Sequence, residues 1–304
     1  MTVINTNINA MMARNSMTVN SRQMSAAMEQ LSTGQRINSA KDDAAGLAIT
    51  DKMTSQIRGL DMSVRNANDA ISLLQTAEGA MIQQTAMLQR MRELAIQASS
   101  DGTTSVDKGY LNTEFQSLKT ELDNIGAQTR WNGKTVLAGA HGSGTTDANT
   151  GVSTATGGEG YASAAPDGTY VFHIGANTEA ADNVVVQIKD MRVQDSHGSL
   201  NDVADSVITD TSSALDSVNN IDLALQNIND VRSNMGAHIN QLTYAVDDLT
   251  TVSQNAVVSR SRILDTDYAV ASSNLARTQI IQQAATAMLA QANQQPQTVL
   301  ALLK

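Results

Sequence analysis

The sequence predicts a mainly α protein, an elongated antiparallel bundle or coiled coil of long helices with a small β-hairpin region. Three observations carry this. First, apolar residues recur at steps of four and three through Met53, Ile57, Leu60, Val64, Ala67, Ile71 and Leu74. A near copy runs through Val218, Ile221, Leu225, Ile228, Met235, Ile239, Leu242, Val246, Leu249 and Ala256. A heptad seam of this kind is buried only against partner helices. Second, aromatic residues make up 3% of the 304 residues and there are two prolines, which favours long helices over a thick globular core. Third, the helical period lapses for long only between about 129 and 188, where short stretches alternate in the manner of strands.

Residues 1–36 carry a looser stripe of Ile8, Met12, Val19, Met24, Ala27, Met28 and Leu31, with Asn and Ser between them. A helix this thinly apolar needs tertiary packing to persist. Ser32-Thr-Gly34 marks a break. Ser39-Ala-Lys-Asp-Asp43 then opens the first long helix, with Ser39 expected as N-cap and Asp42 and Asp43 in the first turn, at the positive end of the helix dipole. The run to Ala98 is about 60 residues, a rod of roughly 90 Å. Glu78 interrupts its seam, which resumes at Met81 and Leu88 and drifts to Met91 and Leu94; Gly102 is the expected stop.

A second helix is predicted over about 105–125, with Leu111, Phe115, Leu118, Leu122 and Ile125 on one face and Gly126 ending it. The short connection makes it antiparallel to the first. Trp131-Asn-Gly-Lys-Thr-Val-Leu137 reads as a turn and a short strand. Residues 138–168 are Gly-, Ser-, Thr-, Ala- and Asn-rich without a period, and form a loop. Residues 169–174 and 183–188 read as a hairpin around Gly175-Ala-Asn-Thr. The final helix is slender and Ala-rich over 269–292, followed by Pro296 and an apolar tail, Val299-Leu-Ala-Leu-Leu303. An exposed apolar tail requires a partner.

The net charge of −10 is unevenly placed. Residues 1–43 and 262–304 each hold one more base than acid, so the acid excess lies between them. That argues against a nucleic-acid partner. No run of about 18 apolar residues exists, so no membrane insertion is expected. The opening residues lack a basic region and an uninterrupted apolar core, so no cleaved Sec signal is expected. With no Cys, disulfides and thiolate metal sites are excluded.

The sequence offers no catalytic constellation. His141, His173, His197 and His238 show no metal-ligand spacing, and neither a phosphate-binding Gly-Lys-Ser/Thr loop nor a nucleophile elbow is present. The pairs Asp42-Asp43 and Asp247-Asp248 are neighbours in helical stretches and point apart. No cofactor, no metal and no enzymatic activity are therefore expected; the chain has seams rather than sites.

Six stretches then carry a specific likeness: Leu31-Ser-Thr-Gly-Gln-Arg-Ile-Asn-Ser-Ala-Lys-Asp-Asp-Ala-Ala-Gly46, Arg65-Asn-Ala-Asn-Asp69, Gln75-Thr-Ala-Glu-Gly79, Gln89-Arg-Met-Arg-Glu-Leu-Ala-Ile96, Ser261-Arg-Ile-Leu-Asp-Thr-Asp-Tyr-Ala269 and Gln291-Ala-Asn-Gln-Gln-Pro-Gln-Thr-Val-Leu-Ala-Leu-Leu303. Together they closely resemble bacterial flagellin over about residues 1–137 and 169–304. The chain departs from the family pattern where Leu264 and Ala271 replace acids, and lacks a large outer domain in place of 138–168.

The resemblance implies a structural subunit polymerising into the extracellular flagellar filament for motility. The alternative within the same class is a hook–filament junction protein. It implies a terminal-helix segment 1–43 pairing with 262–304 as the inner coiled coil of the filament, and a rod domain 44–261 forming the surrounding shell. Polymerisation would use Ile8, Met12, Leu31, Leu275, Val299, Leu300, Leu302 and Leu303. Type III export, a secretion chaperone, and contacts with the flagellar cap and hook-associated proteins are also implied. So is recognition by the hosts' Toll-like flagellin receptor, through a surface matched here by Gln89, Arg90, Leu94 and Glu114.

Overall fold

The computed structural model describes residues 6–138, 168–175, 182–193 and 198–302. Five long helices dominate: α1 (Ile8–Thr33), α2 (Ala44–Ala98), α3 (Ser105–Gln128), α4 (Thr211–Leu264) and α5 (Tyr268–Leu302). Two small antiparallel strand pairs complete them: β1 (Arg130–Trp131) with β2 (Lys134–Thr135), and β3 (Thr169–His173) with β4 (Asn183–Gln187). The mainly helical class with a small β region is therefore what forms. The chain divides into two compact units, Met1–Arg58 with Ser253–Lys304, and Gly59–Val252.

In the unit 59–252 the core is built from the predicted seams. Ala67, Leu74, Met81, Leu88 and Met91 of α2 are buried with Phe115 and Leu122 of α3 and Ala214, Ile221, Ile228, Met235 and Leu242 of α4. Side-chain contacts fix the directions. Gln84 Nε2 donates to the Leu122 carbonyl at 3.3 Å, and Arg90 Nη2 pairs with Glu114 Oε1 at 2.9 Å, so α2 and α3 run antiparallel. Arg92 pairs with Asp222 and Glu78 with Arg232, so α4 is also antiparallel to α2. Glu78 and Arg232, which interrupt the two seams, thus sit opposite each other, 3.8 Å apart.

The β pieces seal one side of this core. Asn132 and Gly133 turn the β1–β2 hairpin at φ 48° and 79°, the left-handed pair that a two-residue hairpin of matching twist needs. The β3–β4 register pairs Thr169 with Gln187 and His173 with Asn183, placing Val184 and Val186 inward.

Three boundary expectations are corrected. Asp43, not Ser39, caps α2: its Oδ1 accepts from Gly46 N–H at 2.8 Å, and no acid lies in the first turn. Ser39 instead donates to Asp42 Oδ2, which also accepts from the Asn38 and Ser39 N–H groups and has its pKa lowered, chiefly by the Ser39 hydroxyl. A carboxylate that can close its own turn competes with helix initiation, so the helix is capped four residues later than expected. Gly126 does not end α3; the helix continues to Gln128, and the missing Cβ lets the Met191 carbonyl approach to where a Cβ would lie 2.9 Å away. Gly102 lies beyond α2, outside the left-handed region, and the helix ends at Ala98. The N-terminus of α3 carries a reciprocal capping box between Thr104 and Asp107.

In the unit 1–58 with 253–304, α1 ends on Gly34 at φ 71°, whose N–H bonds back to Gln30. The chain then makes a one-bridge ladder with the α4–α5 connection: Arg36 N–H donates to the Leu264 carbonyl at 2.7 Å and Thr266 N–H to the Gly34 carbonyl at 3.0 Å. Arg36 Nη2 adds a bond to the Ile263 carbonyl, and Arg260 Nη1 reaches Thr54 Oγ1. Ile37, 2% exposed, fills the space left by Gly46.

Candidate interaction surfaces

Helices α1 and α5 pack along each other, and what they bury differs from the expected stripe. The shielded positions of α1 are Ala10, Ala13, Met17, Asn20, Met24, Ala27 and Leu31, alternating strictly by three and four. Those of α5 are Ala271, Leu275, Thr278, Gln282, Ala285, Leu289 and Ala292, with the same alternation. The seam is therefore a heptad in which nine of the fourteen positions are small or polar, and Met17, Met24, Leu31, Leu275 and Leu289 fill the rest. Ala271, 3% exposed, occupies one of its layers, where a carboxylate would be desolvated.

Many of the large apolar residues point outward. Ile8, Met11, Met12, Val19 and Met28 on α1, and Val270, Ile280, Ile281 and Met288 on α5, are all exposed. Ile8, Met12, Val19 and Met28 were expected on the packing stripe; the correction follows from the closer approach that alanines allow between two helices. Of the candidate polymerisation residues, Ile8 and Met12 (66% exposed) face outward, while Leu31 and Leu275 are half-buried in the α1–α5 seam. Val299, Leu300 and Leu302 lie in the last turns of α5, and Leu303 lies outside the described residues. Met12 and Ala13 with Ile281, Ala284 and Met288 line a groove between the two helices.

The second candidate surface lies in the unit 59–252. Gln89 and Arg90 are exposed on α2, and Glu114 is exposed on α3. Arg90 Nε and Nη2 both bond Glu114 Oε1, at 3.0 and 2.9 Å, and Nη1 bonds Glu93 Oε2 at 3.0 Å. Held by Glu114 first and Glu93 second, the guanidinium has its pKa raised. Leu94 is not part of the exposed patch. It is 1% exposed, beside Met91, Ala95 and Ala98, because the drifting α2 seam crosses it there. Glu93 was missed by sequence reasoning, although its i, i+3 spacing from Arg90 signals the pair.

Among the described residues no group of three metal-ligating side chains exists and no helix is long and apolar enough to cross a membrane. Of the histidines, His173 Nδ1 contacts Asn183 Oδ1 and His238 Nδ1 contacts Gln241 Oε1. His141 and His197, like nearly all of the expected 138–168 loop, lie outside the described residues.

Comparison with known proteins gives this architecture its kin. The family model for the bacterial flagellin N-terminal helical region matches residues 4–142, and that for the C-terminal helical region matches 218–303. The chain belongs to the bacterial flagellin family. It is 40% identical to a flagellin of Halalkalibacterium halodurans over 302 residues, covering 99% of this chain and 100% of that one. It is 38% identical to a flagellin of Bacillus subtilis, covering 99% of both chains. The flagellar filament 33 kDa core protein of Treponema phagedenis is 34% identical, with 99% of this chain and 100% of that one covered. The flagellin N-terminal model thus spans α1, α2, α3 and the β1–β2 hairpin, and the C-terminal model spans most of α4 and α5. Both candidate surfaces fall inside the matched residues.

Proposed function

We propose that this chain is a structural subunit that polymerises into the extracellular flagellar filament and thereby serves motility. The observation that carries the reading is the outward apolar row on α1 and α5. Ile8, Met11, Met12, Ile280, Ile281 and Met288 are left in water by a helix pair whose own seam buries mainly small and polar side chains. Apolar area of this kind gains free energy only by burial against further chains, at about 25 cal/mol per Å². A surface that runs along two helices, offered by identical copies, suits a repeating head-to-tail or side-by-side contact that does not close. Membership of a family with filament proteins supports the same reading. Nothing in the reading assigns a catalytic role.

Under this proposal the cap, the hook-associated proteins and a secretion chaperone are further partners of the same terminal helices, and export is by the type III route. The hook–filament junction alternative has no observation in its favour here.

The test is seeded elongation of the purified full chain, followed by light scattering and electron microscopy. Tubular filaments are expected. Removing residues 299–304 is expected to leave the unit 59–252 folded and to abolish elongation; normal filaments from that truncation would refute the role given to the tail.

A second reading has a specific observation behind it. Gln89, Arg90 and Glu114 form an exposed, pre-ordered polar patch, with Leu94 beneath it supporting the helix. A rigid Arg–Glu pair is a suitable contact for a host Toll-like flagellin receptor, because little side-chain entropy remains to be lost on binding. Receptor activation by alanine variants of the patch tests it.

A further inference from the structure

The described methionines span a range of exposure, with Met17, Met24, Met53 and Met87 half-buried and Met62 on α2 47% exposed, and its two extremes separate by place. Met81, Met91, Met191 and Met235 are at most 1% exposed and are all core residues of the unit 59–252. Met11, Met12, Met28 and Met288 are 54–66% exposed and all lie on the outward side of α1 and α5. Met12 and Met288 come from different helices yet line one groove with Ile281, Ala13 and Ala284. The thioethers most open to solvent therefore sit on the surface to which the proposed polymerisation is assigned.

We propose that Met11, Met12 and Met288 are a peroxide-sensitive modification site that controls the assembly competence of the free chain. The inference rests on the filament reading above. In the step, a thioether sulfur attacks one oxygen of hydrogen peroxide and the O–O bond breaks. The sulfur gives up two electrons and gains that oxygen as a sulfoxide, and the other oxygen leaves as water with both protons. The product is a polar, chiral group in place of a flexible apolar one, and disrupts methionine-rich contacts. Its oxygen is a strong acceptor that must stay solvated or be hydrogen-bonded, whereas most of the groove lining beside the two thioethers, Ala13, Ile281, Ala284, Ala285 and Ala292, is apolar, with Asn9, Ser16 and Gln291 as its polar members. Once chains have packed together the same sulfurs are covered. The site is thus open before assembly and closed after it.

The experiment uses the full-length chain, graded hydrogen peroxide, peptide mass mapping of every methionine and seeded elongation. Met11, Met12 and Met288 are expected to become sulfoxides before Met81, Met91, Met191 and Met235, and elongation is expected to fall at least tenfold as they do. Methionine sulfoxide reductases are expected to restore it, and preformed filaments are expected to keep these thioethers under the same dose. The triple variant Met11→Leu, Met12→Leu, Met288→Leu is expected to elongate after peroxide as before it. An even oxidation order overturns the proposal. So does full elongation by a chain oxidised at these three sites, or elongation that stays lost once the sulfoxides are reduced. Those outcomes leave the filament reading intact, whereas an untreated chain that never elongates seeds overturns both.

Discussion

Asn20 Nδ2 donates to the Thr278 carbonyl at 2.8 Å across the α1–α5 seam and lies 3.1 Å from Gln282 Oε1. Asn20 is 4% exposed, occupies a heptad position, and its Oδ1 has no partner. A polar side chain at such a position fixes register at a cost in stability. Asn7, donating to the Ala292 carbonyl at 2.7 Å, pins the far end of the same pair.

Replacing Asn20 by Leu removes the orphaned acceptor and the specific bond together. Hydrogen exchange of the full chain is expected to slow in α1 and α5, by about 1 kcal/mol of local stability. Seeded elongation is expected to weaken, because a slipped register misplaces Met12 against Met288. Unchanged elongation with faster exchange would contradict both halves.

Two glycines predict opposite outcomes for one substitution. Gly79 lies exposed in the middle of α2 with nothing near the position of an added Cβ, so Gly79→Ala is expected to stabilise by about 1 kcal/mol. At Gly126 the same Cβ would meet the Met191 carbonyl oxygen at 2.9 Å and its carbon at 3.2 Å. Backbone cannot yield as a side-chain tip does, so Gly126→Ala is expected to destabilise by about 1–3 kcal/mol. Urea midpoints of the two variants measure both.

Arg92 Nε bonds Asp222 Oδ1 at 2.7 Å, and this contact lowers the Asp222 pKa. A depressed carboxylate contributes stability above its unfolded pKa, near 4, and loses it as pH falls through the lower folded value. Asp222→Asn is therefore expected to be less stable than the native chain at pH 7, with the gap closing below about pH 4. Because both side chains are substantially solvated, the gap is small and salt reduces it. Urea midpoints at neutral and acid pH, at two salt concentrations, check the sign.

On the Arg90 patch, Arg90→Ala and Glu114→Ala are expected to leave the circular dichroism and melting of the full chain almost unchanged while lowering receptor activation. Leu94→Ala is expected to cost about 2–5 kcal/mol, as a buried leucine does, and to be read first in the urea midpoint. Activation that survives both charge removals would remove the patch from the receptor surface.

The sequence by itself determined the helical class, the two long seams, the second helix from about residue 105, the turn at Asn132-Gly133 and the hairpin of 169–188, because each is written in local periodicity or turn chemistry. It also determined the family, through motifs spread over both ends of the chain. Only the tertiary structure decided which face of α1 is inside. A weak stripe leaves several faces similar in hydropathy, and the choice falls to whichever lets the backbones come closest; alanines won over Ile8 and Met12. It also decided the roles of Asp43, Gly126 and Leu94, since a cap, a close approach and a burial each depend on what arrives from elsewhere in the chain.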